Sequence, residues 1–193
     1  MRKVLLLVSV LLAVLALAVP ALAQEATAEP ATTVHVRIAH FSPDTPAVDV
    51  YLNGILSPLT GLEFPNITPW VEIPAGSYNV AVAPSGTSID DAAIGPADFE
   101  LPAGAWITVA VVGSVADETL KPAVLVEDYS EIPAGSARVS VFHGIEGVEP
   151  VDVLADGAAA IRSLAFPGSR GSNDGFTTVT VPSNVYDFQV VPF

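Results

Sequence analysis

From residue 34 onward the chain alternates short runs of Val, Ile and aromatic residues with clusters of Pro, Gly, Asn, Asp and Ser. No window sustains the 3.6-residue apolar spacing of an amphipathic helix. This pattern predicts an all-β fold. Strands are expected at residues 34–41, 48–53, 70–73, 78–83, 106–112 and 123–127, with 98–101 as a further candidate. Within 78–83 the bulky Tyr78, Val80 and Val82 alternate with Asn79, Ala81 and Ala83, as expected when one sheet face packs inward. One punctuation mark recurs: Ile73-Pro74-Ala75-Gly76, Leu101-Pro102-Ala103-Gly104 and Ile132-Pro133-Ala134-Gly135. Proline lacks the N–H that would extend the preceding ladder, and the glycine tolerates positive φ, so these tetrapeptides read as hairpin or sheet-crossing turns.

The first residues follow a different pattern. Met1, Arg2 and Lys3 precede an apolar run over 4–19 that only Ser9 interrupts, and Pro20 then leads into the small-x-small triplet Ala21-Leu22-Ala23. That is the layout of a cleavable signal peptide over residues 1–23, cut after Ala23. No basic stop-transfer cluster and no cysteine follow it, and no later apolar stretch approaches the roughly 20 residues of a membrane helix. The mature chain is therefore expected outside the cytoplasm, secreted, extracellular or periplasmic. Residues 24–33, rich in Ala, Thr, Glu and Pro, read as a disordered leader.

The strand pattern also repeats. Residues 36–54 superimpose without a gap on 139–157: Val36 on Val139, Ile38 on Val141, His40 on His143, Val48-Asp49-Val50 on Val151-Asp152-Val153, and Gly54 on Gly157. Further along, Tyr78, Val80, Val82 and Pro84 match Tyr186, Phe188, Val190 and Pro192, after a five-residue insertion around 169–175. Two copies of one module are expected, at 34–130 and, incomplete, at 137–193, where nothing matches the strands at 106–112 and 123–127. A fragment, completion by packing on the first copy, and completion by another subunit all account for the shortfall, and the first is preferred.

Charge narrows the partners. There are 21 acidic and 7 basic side chains, net −14, and losing Arg2 and Lys3 with the signal peptide makes the mature charge two units more negative, −16. Such a chain repels nucleic acid and anionic membrane surfaces. The acids are scattered, which fits solubility better than a cation-binding run. With no cysteine, stability rests on buried core alone.

The run Val36-Arg37-Ile38-Ala39-His40-Phe41-Ser42-Pro43-Asp44-Thr45-Pro46-Ala47-Val48-Asp49-Val50-Tyr51-Leu52-Asn53-Gly54, with the later Ile-Pro-Ala-Gly-Ser-Tyr, resembles the bacterial family called domain of unknown function (DUF) 4397. The likeness covers about 34–128, with a weaker, partial match from 137. It implies an exported β-sandwich module, often in tandem, and no particular reaction. In the second copy Ile145-Glu146-Gly147-Val148-Glu149-Pro150 replaces the Ser-Pro-Asp-x-Pro turn, so any role of that turn is in doubt there.

Candidate chemistry is sparse. His40 and His143 share parity with inward-facing positions and read either as metal ligands, with Asp44 or Asp49, or as buried histidines whose ring N–H pins the next turn; the second reading is favoured, because a metal needs three or four converging ligands. Asp90 and Asp91, with Asp44, would serve a calcium site, yet no Asp-x-Asp-x-Asp-Gly loop occurs and solvated acids fit better. Trp70, Trp106, Tyr51 and Tyr129 would form a sugar-stacking platform if two or more share an exposed face; Trp106 reads as core, Trp70 and Tyr51 as candidates for exposure. No nucleophile elbow, zinc-protease helix or phosphate loop is present, and Ser85-Gly86-Thr87-Ser88 reads as a flexible loop.

The expectation is thus a secreted or cell-surface, non-enzymatic β-sandwich, immunoglobulin-like or transthyretin-like, with a structural or adhesive role. A glycan- or calcium-binding protein is the alternative, and a hydrolase comes last. No cofactor is expected, with calcium the ion to test. His40, Asp44, Asp49, Asp90, Asp91 and Trp70 are the candidate ligand-facing residues. Protein, glycan or a second copy, through the incomplete module, are the candidate partners.

Overall fold

A computed structural model describes residues 32–169 and 175–193. The expected signal peptide, its cleavage after Ala23 and the leader as far as residue 31 lie outside the described residues. Thr33, the last residue of that expected leader, already pairs with Pro74 in a sheet.

The described residues form thirteen strands, most of them bounded within a few residues by Pro or Gly, and no α-helix occurs among them. The first eight are β1 (Thr33–His40), β2 (Val48–Leu52), β3 (Ile55–Leu56), β4 (Val71–Pro74), β5 (Gly76–Pro84), β6 (Ile94–Leu101), β7 (Trp106–Val112) and β8 (Lys121–Glu127). They build two four-stranded sheets, ordered β4-β1-β7-β8 and β3-β2-β5-β6. The fold is all-β, and its paired sheets are consistent with a sandwich. Five further strands follow: β9 (Ser136–Phe142), β10 (Val151–Ala155), β11 (Ala158–Leu164), β12 (Phe176–Pro182) and β13 (Phe188–Pro192). These form a two-stranded sheet, β12-β9, and a three-stranded sheet, β11-β10-β13.

The three Pro-Ala-Gly turns all cross between sheets. The first carries β4 into β5, the second β6 into β7, and the third β8 into β9. At Gly104 φ is +76°, which a side chain would strain, and the turn is fastened by its N–H donating to Thr33 O at 2.7 Å. Crossing after each proline places β1 beside β7 in parallel, His35 opposite Trp106 and Arg37 opposite Thr108.

Parity along these strands sets the core. The inward faces meet in clusters around Val34, Leu101 and Ile107, and around Val48, Val82, Ile94 and Val111. The opposite face of the second sheet is covered too. Tyr51, Ala81 and Ala83 lie there under the 85–93 loop, packed with Ile89 and Ala92. Tyr51 does alternate with Val50 and Leu52, but it is buried rather than exposed, because that loop folds over it and its hydroxyl donates to Thr87 O at 2.7 Å. The same bond fastens the 85–88 segment expected to be flexible.

On the outer face of the first sheet, Ala39, Ala110 and Ala123 stand in register on three adjacent strands. Their short side chains leave a flat floor. Phe166, 5% exposed, sits in the cluster they form with Val112 and Leu125, and Phe41, Phe142 and Phe176 pack around it. Lys121 strengthens the seam: its Nζ donates to Pro167 O at 2.7 Å and lies 4.7 Å from the Phe166 ring centre. The described residues of 136–193 thus pack on the first eight strands through a shared apolar core.

Details of pairing run side by side in the two segments. In β1/β4 Thr33 faces Pro74, and in β9/β12 Ser136 faces Pro182. In β2/β5 Val48 faces Pro84, and in β10/β13 Val151 faces Pro192. Tyr78 and Tyr186 donate to Pro74 O and Pro182 O, each at 2.8 Å. Asn53-Gly54 and Asp156-Gly157 turn their hairpins with positive φ throughout, at 52° and 79° and at 51° and 78°.

Candidate functional site

At the end of β1 the chain must leave the sheet and reach β2 within seven residues, and polar groups fasten that turn. His40 is fully buried, and its Nε2 lies 3.1 Å from Pro46 O. A carbonyl only accepts, so Nε2 is the donor, and Nδ1 is buried without a partner among the described residues. Ser42 Oγ and Thr45 Oγ1 are 2.6 Å apart beneath the turn, and Ser42 Oγ also donates to Asp44 Oδ1 at 3.1 Å.

Asp44 points outward, to the loop after β7. Its carboxylate accepts from Ala116 N at 3.0 Å, Ser114 Oγ at 2.8 Å and Val115 N at 3.1 Å. The Ala116 N–H, then the Ser114 hydroxyl, the Val115 N–H and the Ser42 hydroxyl hold this carboxyl well below the usual carboxylate range, against a smaller opposing effect of burial. Asp44 therefore staples together two turns seventy residues apart in the chain.

Asp49 takes the other direction. It lies on β2 with Tyr51, 4% exposed, on the face that the 85–93 loop covers. Gly61 N donates to its Oδ1 at 2.7 Å and Gly86 N to its Oδ2 at 2.9 Å. Burial alone pushes this carboxyl up, but the Gly86 and Gly61 N–H groups and the Ser85 hydroxyl outweigh burial and leave it lowered. One side chain thus holds the loops after β3 and after β5.

Asp90 and Asp91 sit in a single 3₁₀ turn, Ile89–Asp91, capped by Ser88. Asp91 Oδ2 accepts from Ser88 N at 3.3 Å, whereas the Asp90 side chain is exposed to water. His40, Asp44, Asp49 and Asp90 are brought to one end of the sandwich, but the first three are bonded to separate partners and Asp90 faces water. Among the described residues no three His, Asp or Glu side chains group so as to hold a metal ion.

A different cluster forms on the outer face of the first sheet. His35 and Trp106 stack at 3.7 Å with their planes 2° apart, and Tyr129 stacks on the other side of Trp106 at 4.1 Å. Trp70 meets Trp106 edge-on at 5.0 Å and carries the Arg37 guanidinium 4.3 Å above its ring. Arg37 Nη2 pairs with Glu127 Oε1 at 2.7 Å, Arg37 Nε donates to Thr108 Oγ1 at 2.8 Å, and Thr108 also bonds Glu127. Trp106 is half-buried rather than core, and Trp70 is half-buried rather than open, because the rings stack on one another. Tyr129, 51% exposed, is the ring of this column most open to water. Sequence reasoning missed His35, Arg37, Thr108 and Glu127; their signal is the alternation His35-x-Arg37 and Trp106-x-Thr108, legible only once β1 and β7 are known to be neighbours.

The family model described as "Domain of unknown function (DUF4397)" matches residues 34–144, more than half of the chain. The chain belongs to this family. The DUF4397 match runs from β1 through β9 and takes in His40, Asp44, Asp49, the aromatic column and His143. Residues 145–193 lie beyond it. No curated protein matches the chain. The fastened turn and the stacked column are thus features of this DUF4397 chain within the matched stretch. Among its described residues, no helix is long and apolar enough to cross a membrane.

Proposed function

We propose that this chain is an exported, non-enzymatic β-sandwich protein, immunoglobulin-like or transthyretin-like, whose role outside the cytoplasm is structural or adhesive contact. The observation that carries this reading is how its candidate polar residues are used. Asp44 and Asp49 accept from the chain's own backbone N–H groups and hydroxyls, and His40 Nε2 donates to the Pro46 carbonyl, which is the chemistry of a fastened scaffold. The segment 137–193 is read as a partial second copy of the module, supported by the matching registers and tyrosine contacts of the two segments. Val190 occupies in β13 the place of Val82 in β5, yet is 66% exposed against 5%, which supports contact with a protein partner or a second copy there.

The surplus of acids argues against nucleic acid and anionic membranes as partners. A glycan-binding reading comes second, favoured by the gathering of Trp70, Trp106 and Tyr129 on one face. A mature chain spanning 24–193, tested on a glycan array, for self-association by sedimentation and against a panel of ester, glycoside and peptide substrates, separates these readings. Self-association or surface binding without turnover is expected. Turnover that disappears with His40→Ala in a folded variant would overturn the non-enzymatic reading, and glycan binding abolished by Tyr129→Ala would replace it with the second.

A further inference from the structure

The two sheets do not close on each other along their whole length. Inward residues at the ends of the sandwich, Val34, Ile107, Val48 and Val111, are buried, but Val36 and Val109 of the first sheet and Val80 and Phe99 of the second are only half-buried. Between them, toward the β3 and β4 edges, lies a cavity of about 190 Å³. Its wall is completed by Val50, Leu52, Val71 and neighbouring apolar side chains. Ser57 is the one hydroxyl at the wall, and its Oγ already accepts from Leu59 N at 3.1 Å. A water inside would find almost nothing to bond, and water needs two to four polar partners to be held. Cavities larger than a water molecule are few in native interiors, and an empty one lowers stability in proportion to its volume. Here valines stand at several wall positions where Leu or Ile would fill the space.

We propose that this inter-sheet cavity is a binding site for small, uncharged hydrocarbon groups, aromatic or branched aliphatic. Size and chemistry select that class. An apolar cavity of roughly 150 Å³ is enough to take up benzene or xenon. A charged ligand is refused, because the wall offers no counter-charge or donor to replace its lost hydration. Val71, 40% exposed on β4, lines the cavity together with Pro58 and Leu59 of the segment after β3, and entry is assigned to that edge. That segment is tied to β2 by Ser57 N donating to Val50 O and Val50 N to Leu59 O, so the cover is a paired stretch of backbone.

The test is methyl-resolved NMR of the mature chain with benzene, and separately with xenon under pressure. Saturable shifts are expected at the methyl groups of Val36, Val80 and Val109, together with a melting temperature that rises with benzene. Benzoate, of similar shape but charged, should leave the spectrum unchanged. Val109→Phe fills the space and should weaken benzene binding at least tenfold without lowering the melting temperature in its absence. If Val109→Phe does not fold, the milder Val36→Leu and Val80→Ile should each weaken binding in the folded state. Unshifted wild-type methyl groups with both probes, or benzene binding of undiminished strength in a folded filled variant, would overturn the proposal.

Discussion

Replacing Asp49 by asparagine removes a charge while keeping the shape of the side chain, and it isolates what the two loop contacts contribute. In the native chain the carboxylate accepts Gly61 N–H at 2.7 Å and Gly86 N–H at 2.9 Å, one on each oxygen. A carboxamide has one oxygen, so one N–H is left facing an NH₂ group. Hydrogen bonds to a charged group contribute about 1.5–3 kcal/mol each. Because both glycines belong to exposed turns, water recovers part of that, and a loss of about 2–3 kcal/mol is expected. For a chain of this size that is a fall in melting temperature of roughly 5–10 °C. Urea unfolding followed by circular dichroism, with Asp90→Asn as the control expected to stay within about 0.5 kcal/mol, measures it.

The pH dependence has a definite sign. The folded carboxyl is lowered relative to its unfolded value near ~3.9, so its stabilisation is complete above that value and is lost as pH falls through the folded one. The gap between native and Asp49→Asn should therefore be flat from about pH 5 to 8 and shrink on further acidification. A variant as stable as the native chain, or a gap that widens in acid, would refute the reasoning.

Other outcomes follow from the packing. Phe166→Ala should cost about 3–5 kcal/mol, and because Phe166 lies on the Ala39–Ala110–Ala123 floor, limited proteolysis should then cut first within 136–193. Arg37→Ala leaves the Glu127 carboxylate, whose side chain is only 10% exposed, with the Thr108 hydroxyl but no counter-charge, and should cost about 3 kcal/mol; a double-mutant cycle with Glu127→Gln should recover much of it. Gly113 has φ of +91°, and a Cβ there would sit 2.4 Å from Thr119 O, so Gly113→Ala should destabilise by more than about 2 kcal/mol and loosen the 114–119 loop that Asp44 holds, seen as faster amide exchange at Val115 and Ala116.

Much of the strand layout was legible because β-branched runs are bounded so regularly by Pro and Gly. The 106–112 strand coincides with β7, and the candidate at 98–101 is the end of a longer strand whose first half, Ile94-Gly95-Pro96-Ala97, is hidden by its own Gly and Pro. The two-residue β3 is too short to leave a pattern. His40 pinning the turn was readable from parity plus the Pro46 carbonyl nearby in sequence. The sequence offers Asp44 and Asp49 as ligand-facing candidates, whereas the groups that hold them, at 114–116 and at 61 and 86, are remote in sequence, and backbone donors carry no residue signature. The aromatic column and the alanine floor depend on the parallel pairing of β1 with β7, and single-strand periodicity says nothing about which strands are neighbours.

The most direct test of the account is an amide-resolved NMR titration of residues 24–193 with calcium, extended to millimolar concentration. If the turn carboxylates are fasteners, the Gly61, Gly86, Val115 and Ala116 amides keep their positions and their protection from exchange throughout. Saturable calcium-dependent shifts centred on those four amides would mean that Asp44 and Asp49 serve a ligand, contradicting the scaffold reading.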